Sequence, residues 1–337
     1  MIVLIDTAGD VLYKSFYLLG LTELFGQENI RFSAKPFEAI PYTLRNEKVM
    51  NFVVREGLSE KKYTIACDDQ YAVIPELYDW CDVYGSVNAH RSLTDEQYRA
   101  KLVSLCPSFA VRYAPTAILA MHAMRCLPPQ PARWKKHLGK YRRLLQRNDY
   151  RQYVPGAEVR DGYLFTCSTL WYNDEWNKND ENVNLDRATF IRACRSIEGL
   201  TLEGGLVSQG AGRSSEELFR DCLCAPYSVA RWTELTRQSV CVFNTPAFWM
   251  CHGWKLGEYM ALGKAIISTP LYNDLPEPLV HGTHYHLIDR SVEGLRETVR
   301  YIMQHPDYRK HLEHNIADYW QRYGTPTASL ALLGITR

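Results

Sequence analysis

The chain has 337 residues, 46% of them hydrophobic and 23% charged, with a formal net charge of +1. Such a charge balance argues against a dedicated nucleic-acid binder, and the length is enough for two domains with separate cores. No apolar run approaches the roughly 18–20 residues that a membrane span needs. The ten cysteines are scattered and form no paired C-x2-C motif, so no zinc site is expected. The sequence opens directly on an apolar strand without a signal segment, which predicts buried, reduced thiols in a cytoplasmic protein.

Residues 1–5 form that strand, residues 6–10 a turn of small and acidic residues, and residues 11–25 a helix. This is how a Rossmann-like half begins, although no G-x-G-x-x-G is present. A second strand is expected over 29–34, then an irregular stretch over 35–60. Residues 63–67 read as a strand ending at Asp68-Asp69, 74–79 as a short helix, and 83–87 as a strand leading to His90. Alternating strands and helices predict an open, mostly parallel sheet.

Residues 112–151 carry the strongest charge bias. Arg112, Arg125, Arg133, Lys135, Lys136, Lys140, Arg142, Arg143, Arg147 and Arg151 face a single acid, Asp149. Trp134, Leu138, Tyr141 and Leu145 recur there at helical spacing, which makes a basic amphipathic helix. It has two readings: a core helix with a solvated basic face, or a helix whose residues 133–145 rest on an anionic membrane surface.

The best domain boundary is Tyr153-Val-Pro-Gly156, where alternation restarts. Beyond it, 163–167 is a strand, 168–183 a polar loop, and Asn184 is placed to cap a helix running to residue 195. Residues 200–207 read as a strand interrupted by Gly204-Gly205. A helix over 228–238 enters the stretch that organises this half. Residues 239–243 form a buried strand, and Asn244-Thr245-Pro246 its loop. Leu256, Tyr259 and Met260 mark a helix that Gly263 ends, and 265–268 is the next strand. Strand, loop, helix and strand make one βαβ unit, whose loop opens at the carboxyl end of a parallel strand, where such sheets bind ligands. A strand over 285–288, an amphipathic helix over 291–304 and a last helix opened by Pro306 follow, the last with Tyr308, Leu312, Ile316 and Trp320 on one face.

Within that βαβ unit, amides around Gly253 would face an anion, and Lys255 and Glu258 share one helix face. A phosphate at the helix tip with ribose hydroxyls on the carboxylate suits a nucleotide, although spacing alone equally allows a solvated Lys–Glu pair over a core helix. The segment KLGEYMALGKAIISTPLYNDLPEPLVHGTHYHLID, residues 255–289, resembles the donor-nucleotide segment of group 1 (family 4-like) glycosyltransferases. Those typically read K-L-F-E-Y-M-A-A-G-K-P-V-I followed by P-E, and the close match covers about fifty residues. The resemblance implies a GT-B α/β fold, with two Rossmann-like domains facing across a cleft. These would be residues 1–154 for the acceptor and 155–310 for the donor nucleotide, with helices in 311–337 returning to the first domain.

It further implies transfer from a nucleotide-diphosphate sugar to a saccharide or lipid-linked acceptor, with retention of configuration, at the inner face of the cytoplasmic membrane. Glu258 would bind the donor ribose and the loop before it the diphosphate. The donor-binding set is then Ser168, Thr169, Arg187, Tyr227, His252, Gly253, Trp254, Lys255 and Glu258, with Lys178 competing with Arg187 as the second cation. One departure stands out. Many members carry a sugar-contacting Glu eight positions before the ribose Glu, and Met250 stands there; no acid occurs between Arg237 and Gly257.

No D-x-D motif lies in a suitable loop, so leaving-group charge is expected to fall on Lys255, a second cation and backbone amides, with no metal and no cofactor. If the reaction inverts, a base is needed on the acceptor side. His90 is the best placed, with Asp6 and Asp69 behind it. Two other readings of the same pocket are a catalytically silent nucleotide-sugar-binding assembly partner and a GT-B-type nucleotide-sugar epimerase.

Overall fold

The structure, a computed structural model, describes residues 1–46, 48–156, 158–171, 177–208 and 214–336, without the side chains of residues 177–182, 214, 215 and 248. The chain divides into two compact units. One comprises Met1–Gln152, Asn273–Pro278 and Gln321–Arg337, the other Tyr153–Tyr272 and Leu279–Trp320.

The first unit contains strands β1 (Ile2–Ile5), β2 (Ile30–Phe32), β3 (Val49–Glu56), β4 (Ser59–Ala66), β5 (Val83–Ser86) and β6 (Leu102–Ser104). Its helices are α1 (Val11–Phe25), α2 (Tyr42–Arg45), α3 (Pro75–Trp80), α4 (Thr116–Arg125) and α5 (Trp134–Leu145). The sheet order is β2-β1-β3-β4-β5-β6. Only β3 runs against its neighbours, pairing antiparallel with both β1 and β4. The expected irregular stretch is thus corrected in its second half: residues 49–56 form a central strand and turn back through Gly57, at φ +59°, into β4. Val49, Met50, Phe52 and Val53 are all buried there, as a strand covered on both faces requires.

Asp10 caps α1 by accepting from the Leu12 amide at 3.0 Å. The turn before it closes on itself. Buried Lys14 donates to the carbonyls of Asp6 at 3.0 Å and Ala8 at 2.5 Å, so the turn holds the chain's own ammonium rather than an open anion cradle. Burial pulls the Lys14 pKa down.

The second unit contains β7 (Tyr163–Thr169), β8 (Thr201–Val207), β9 (Val242–Asn244), β10 (Ile266–Ser268) and β11 (His286–Leu287). Its helices are α6 (Asn177–Arg195), α7 (Ser214–Leu218), α8 (Val229–Gln238), α9 (Trp254–Ala261), α10 (Val292–Gln304) and α11 (Pro306–Tyr319). Every strand pair is parallel, β7 with β8 and β9 with β10 and β11. The Val240 amide, just before β9, donates to the Tyr163 carbonyl of β7 at 2.9 Å and ties the two sets together. Leu164, Phe190, Val240, Ile267, Val299, Ile302 and Leu312 form one buried core, and the Phe190 and Phe243 rings stack at 4.2 Å.

Two expectations are corrected here. The helix assigned to 184–195 begins at Asn177, so Asn184 lies inside α6. Its side chain reaches out to the Trp171 backbone, donating to the carbonyl at 2.9 Å and accepting from the amide at 3.2 Å. A mid-helix Asn is tolerated because it satisfies a neighbouring loop instead of competing with its own helix. Nor do Gly204 and Gly205 interrupt β8. They pair in register with Thr166 and Cys167. Gly204 sits at φ +93°, where a Cβ would lie 2.0 Å from the Thr166 carbonyl oxygen.

Helix α12 (Pro326–Leu332) returns to the first unit and packs on α1. A Cβ at Gly20 would lie 2.6 Å from the Pro326 carbonyl oxygen, so the close approach needs a glycine. The fold class is therefore α/β, with each unit a Rossmann-like layering of helices on a largely parallel sheet. Among the described residues no helix is long and apolar enough to cross a membrane.

Candidate functional site at the carboxyl edge of the second sheet

Parallel strands deliver the residues that follow them to one edge. In the second unit these are Cys167, Ser168 and Thr169 ending β7, and Asn244 and Thr245 ending β9. Helix α9 starts there with Gly253 as its N-cap, and among the described residues no side chain hydrogen-bonds as its cap. It ends in the manner expected, with Gly263 at φ +60°.

Lys255, in the first turn of α9, donates its ammonium to the Cys167 carbonyl and to Ser168 Oγ, the latter at 2.5 Å. Desolvation, then the nearby Arg187 charge, lowers its pKa to about 7, against partial support from Cys167 and Glu258. Arg187, on α6, is fixed by donating from Nε to Thr245 Oγ1 at 3.1 Å and from Nη1 to the Thr169 carbonyl at 3.0 Å. Glu258 is buried one turn along α9 and accepts from the Tyr153 hydroxyl at 3.2 Å. The edge thus gathers two basic side chains, a buried carboxylate and an uncapped helix start.

Of the predicted donor-side residues, Ser168, Thr169, Arg187, Gly253, Trp254, Lys255 and Glu258 occupy this edge. His252 is buried in the loop leading to Gly253. Tyr227 is half-buried, with its ring edge-on to Phe165 at 5.0 Å and its pKa raised, first by burial and then by Glu203. Trp232 is a core residue, stacked on Tyr259 at 5.7 Å. The Lys178 side chain lies outside the described residues. Met250, where the related pattern has an acid, has φ +59°, and Trp249 before it φ +54°. Consecutive left-handed non-glycine residues are strained, and this loop stands directly before α9.

Sequence reasoning missed Tyr153, Thr245 and the Cys167–Cys224 pair. The Cys167 thiol is held low by a hydrogen bond with Cys224 and by the Lys255 charge. The Cys222-x-Cys224 spacing draws attention to Cys224, but its partner Cys167 lies far away in sequence, on β7.

The acceptor-side candidates all belong to the first unit. His90 is half-buried, with Nδ1 3.1 Å from Ser92 Oγ and its ring near Tyr71. Asp6 does not fit a base role: Arg45 donates to both of its oxygens, at 2.6 and 2.8 Å, and the Ala8 amide adds a third bond. Asp69 pairs with Lys48. Among the described residues no three His, Cys, Asp or Glu are grouped to hold a metal ion.

No protein-family model and no curated protein matches the sequence. Solved structures do. The C-terminal domain of a glycosyl transferase group 1 family protein (LpcC) from Francisella tularensis is 10% identical, with a TM-score of 0.36 over 51% of this chain and 96% of that one. A glycosyltransferase from Rickettsia africae is 11% identical, with a TM-score of 0.38 over 74% of this chain and 60% of its own. A co-structure of S. aureus MnaA with UDP is 12% identical, with a TM-score of 0.38 over 78% of this chain. This chain spans 60% and 63% of the length of the last two.

Proposed function

We propose that the chain is a glycosyltransferase that binds a nucleotide-diphosphate sugar at the carboxyl edge of its second unit and passes the sugar to a saccharide or lipid-linked acceptor. The supporting observation is the convergence of Lys255, Arg187 and the uncapped start of α9, with Glu258 one turn further. A diphosphate would meet two basic groups and the positive end of α9 at the tip, and Glu258, one turn further, would accept from ribose hydroxyls. Tyr227 is then the candidate neighbour of the base.

In transfer, bond breaking at the sugar leaves negative charge on the departing diphosphate. Lys255, Arg187 and the α9 amides would neutralise it, so the reaction is expected to need no divalent metal and to continue in EDTA. Loss of turnover in EDTA, restored by Mg²⁺ or Mn²⁺, would overturn that assignment. The resemblance of residues 255–289 to a retaining family favours retention, in which case His90 need not act as a base.

The decisive variant is Glu258→Gln, which keeps an oxygen for the Tyr153 hydroxyl and removes the charge. Its nucleotide affinity is expected to fall by about 1.5–3 kcal/mol, the size of a charged hydrogen bond, with the fold retained. Calorimetry showing unchanged affinity in the folded variant would remove Glu258 from the site. The acid-free stretch 238–256, with Met250 in place of the pattern's first Glu, favours a second reading: a nucleotide-sugar binder that transfers nothing. Incubation with a panel of nucleotide sugars separates the two, since a transferase releases nucleoside diphosphate and a binder does not. Release of an epimerised free sugar would point instead to an epimerase.

A further inference from the structure

The basic helix of the first unit does not bury the face that its spacing indicates. Tyr141 and Leu144 pack inward, whereas Trp134 and Leu138 are each 42% exposed and Leu145 is 38% exposed. Neighbouring α4 adds Met121 at 42% and Met124 at 61%. The helices that carry these side chains are tied down. The Trp134 indole donates to the Pro128 carbonyl at 2.9 Å. His137 Nε2 lies 3.0 Å from the Ala123 carbonyl, clamping α5 to α4. Lys140 Nζ anchors α5 to Asp10 at 2.8 Å.

Around them the charge has one sign. Residues 116–145 contain no Asp or Glu, and Arg125, Lys135, Lys136, Arg142 and Arg143 are exposed. On the helical wheel Trp134, Leu138 and Leu145 form a strip directly beside Lys135 and Arg142. We infer that α4 and α5 form a docking surface for an anionic lipid bilayer, with Trp134, Leu138, Met121 and Met124 entering the headgroup–acyl boundary and the flanking cations meeting lipid phosphates. Charge alone would serve any polyanion. The exposed Trp, Leu and Met between the charges gain from an apolar boundary and nothing from a nucleic acid backbone. The helices lie on such a surface rather than cross it.

The inference does not rest on the donor-site reading; it says where a lipid-linked acceptor would be met. The full chain is sedimented with vesicles of phosphatidylcholine alone and of phosphatidylcholine mixed with phosphatidylglycerol. Binding is expected only to the anionic vesicles, fading as salt rises. The pair Lys135→Glu, Arg142→Glu should weaken it about tenfold or more. The uncharged pair Met124→Ser, Leu138→Ser should weaken it about fivefold at constant charge. A blue shift of tryptophan emission on anionic vesicles, missing in Trp134→Phe, would place the indole at the boundary. No sedimentation, indifference to lipid charge, or full binding by the Met124→Ser, Leu138→Ser pair overturns the proposal. So does equal competition by RNA, which would mark a general polyanion surface. Nucleotide binding measured on the same variants stays unchanged if the donor site is separate, so the two readings fail independently.

Discussion

Lys255 has a consequence that can be titrated. Its pKa of about 7 comes from desolvation and the Arg187 charge, and the negative charge of a bound diphosphate would outweigh both and raise it. At pH 8 the empty site holds mostly neutral amine, and the liganded site an ammonium. Nucleotide binding should therefore take up about one proton at pH 8 and almost none at pH 6, with affinity falling as pH rises above 7. Calorimetry in buffers of different ionisation enthalpy reads this directly. Uptake unchanged in Lys255→Met would assign the proton elsewhere. At this scale the sequence showed which residues are near each other, not how they are held. Lys255 and Glu258 could be read as neighbours because helical spacing puts them on one face, whereas Arg187 stood only as one of two candidate cations, beside Lys178. Tyr153 on Glu258, Thr245 on Arg187 and the Cys167 carbonyl on Lys255 were not legible, because those bonds join distant parts of the chain.

Among the elements, the β7–β8 pair positions Ser168 and the Cys167 carbonyl, and Gly204 is what lets the strands approach. Gly204→Ala would set a Cβ against a backbone oxygen at 2.0 Å in a left-handed conformation, where neither partner can yield cheaply. The cost should exceed about 2 kcal/mol, seen as a lower melting temperature together with weaker nucleotide binding. An unchanged melting temperature would mean that β8 relaxes without loss. This glycine pair was mistaken for a break because a sequence shows glycine's freedom and not the neighbour that demands it. The β3–β4 hairpin was missed for a related reason. The apolar run 49–54 and Gly57 were both visible, but central placement between β1 and β4 is a tertiary fact. On α5 the spacing identified the helix and left open whether its apolar face is covered; Tyr141 and Leu144 are buried, whereas Trp134, Leu138 and Leu145 are exposed.

For the molecule as a whole, the first unit is discontinuous in sequence. It takes in Asn273–Pro278, where Asn273 Nδ2 donates to Asn88 Oδ1 at 3.0 Å and the Asp274 amide to the Ala89 carbonyl at 2.7 Å. It also takes in α12 and the residues after it, with Leu330, Leu333 and Ile335 buried. Each such side chain contributes about 1.5–3 kcal/mol, against a usual domain stability of about 5–15. A chain ending at Trp320 should therefore lose the first unit's cooperative melting and keep that of the second, by calorimetry. Two intact transitions would show that α12 is dispensable. Alternation of strand and helix made the α/β class legible throughout, whereas the membership of residues 273–278 left no local mark. The same arrangement sets an order of events during translation. Once residue 320 has been made, the second unit has every segment it needs, whereas the first, begun earlier, still lacks the helix that covers α1. Synthesis proceeds from the amino terminus, but here the amino-terminal unit is the last to close, and until then its α1 surface is open to chaperones.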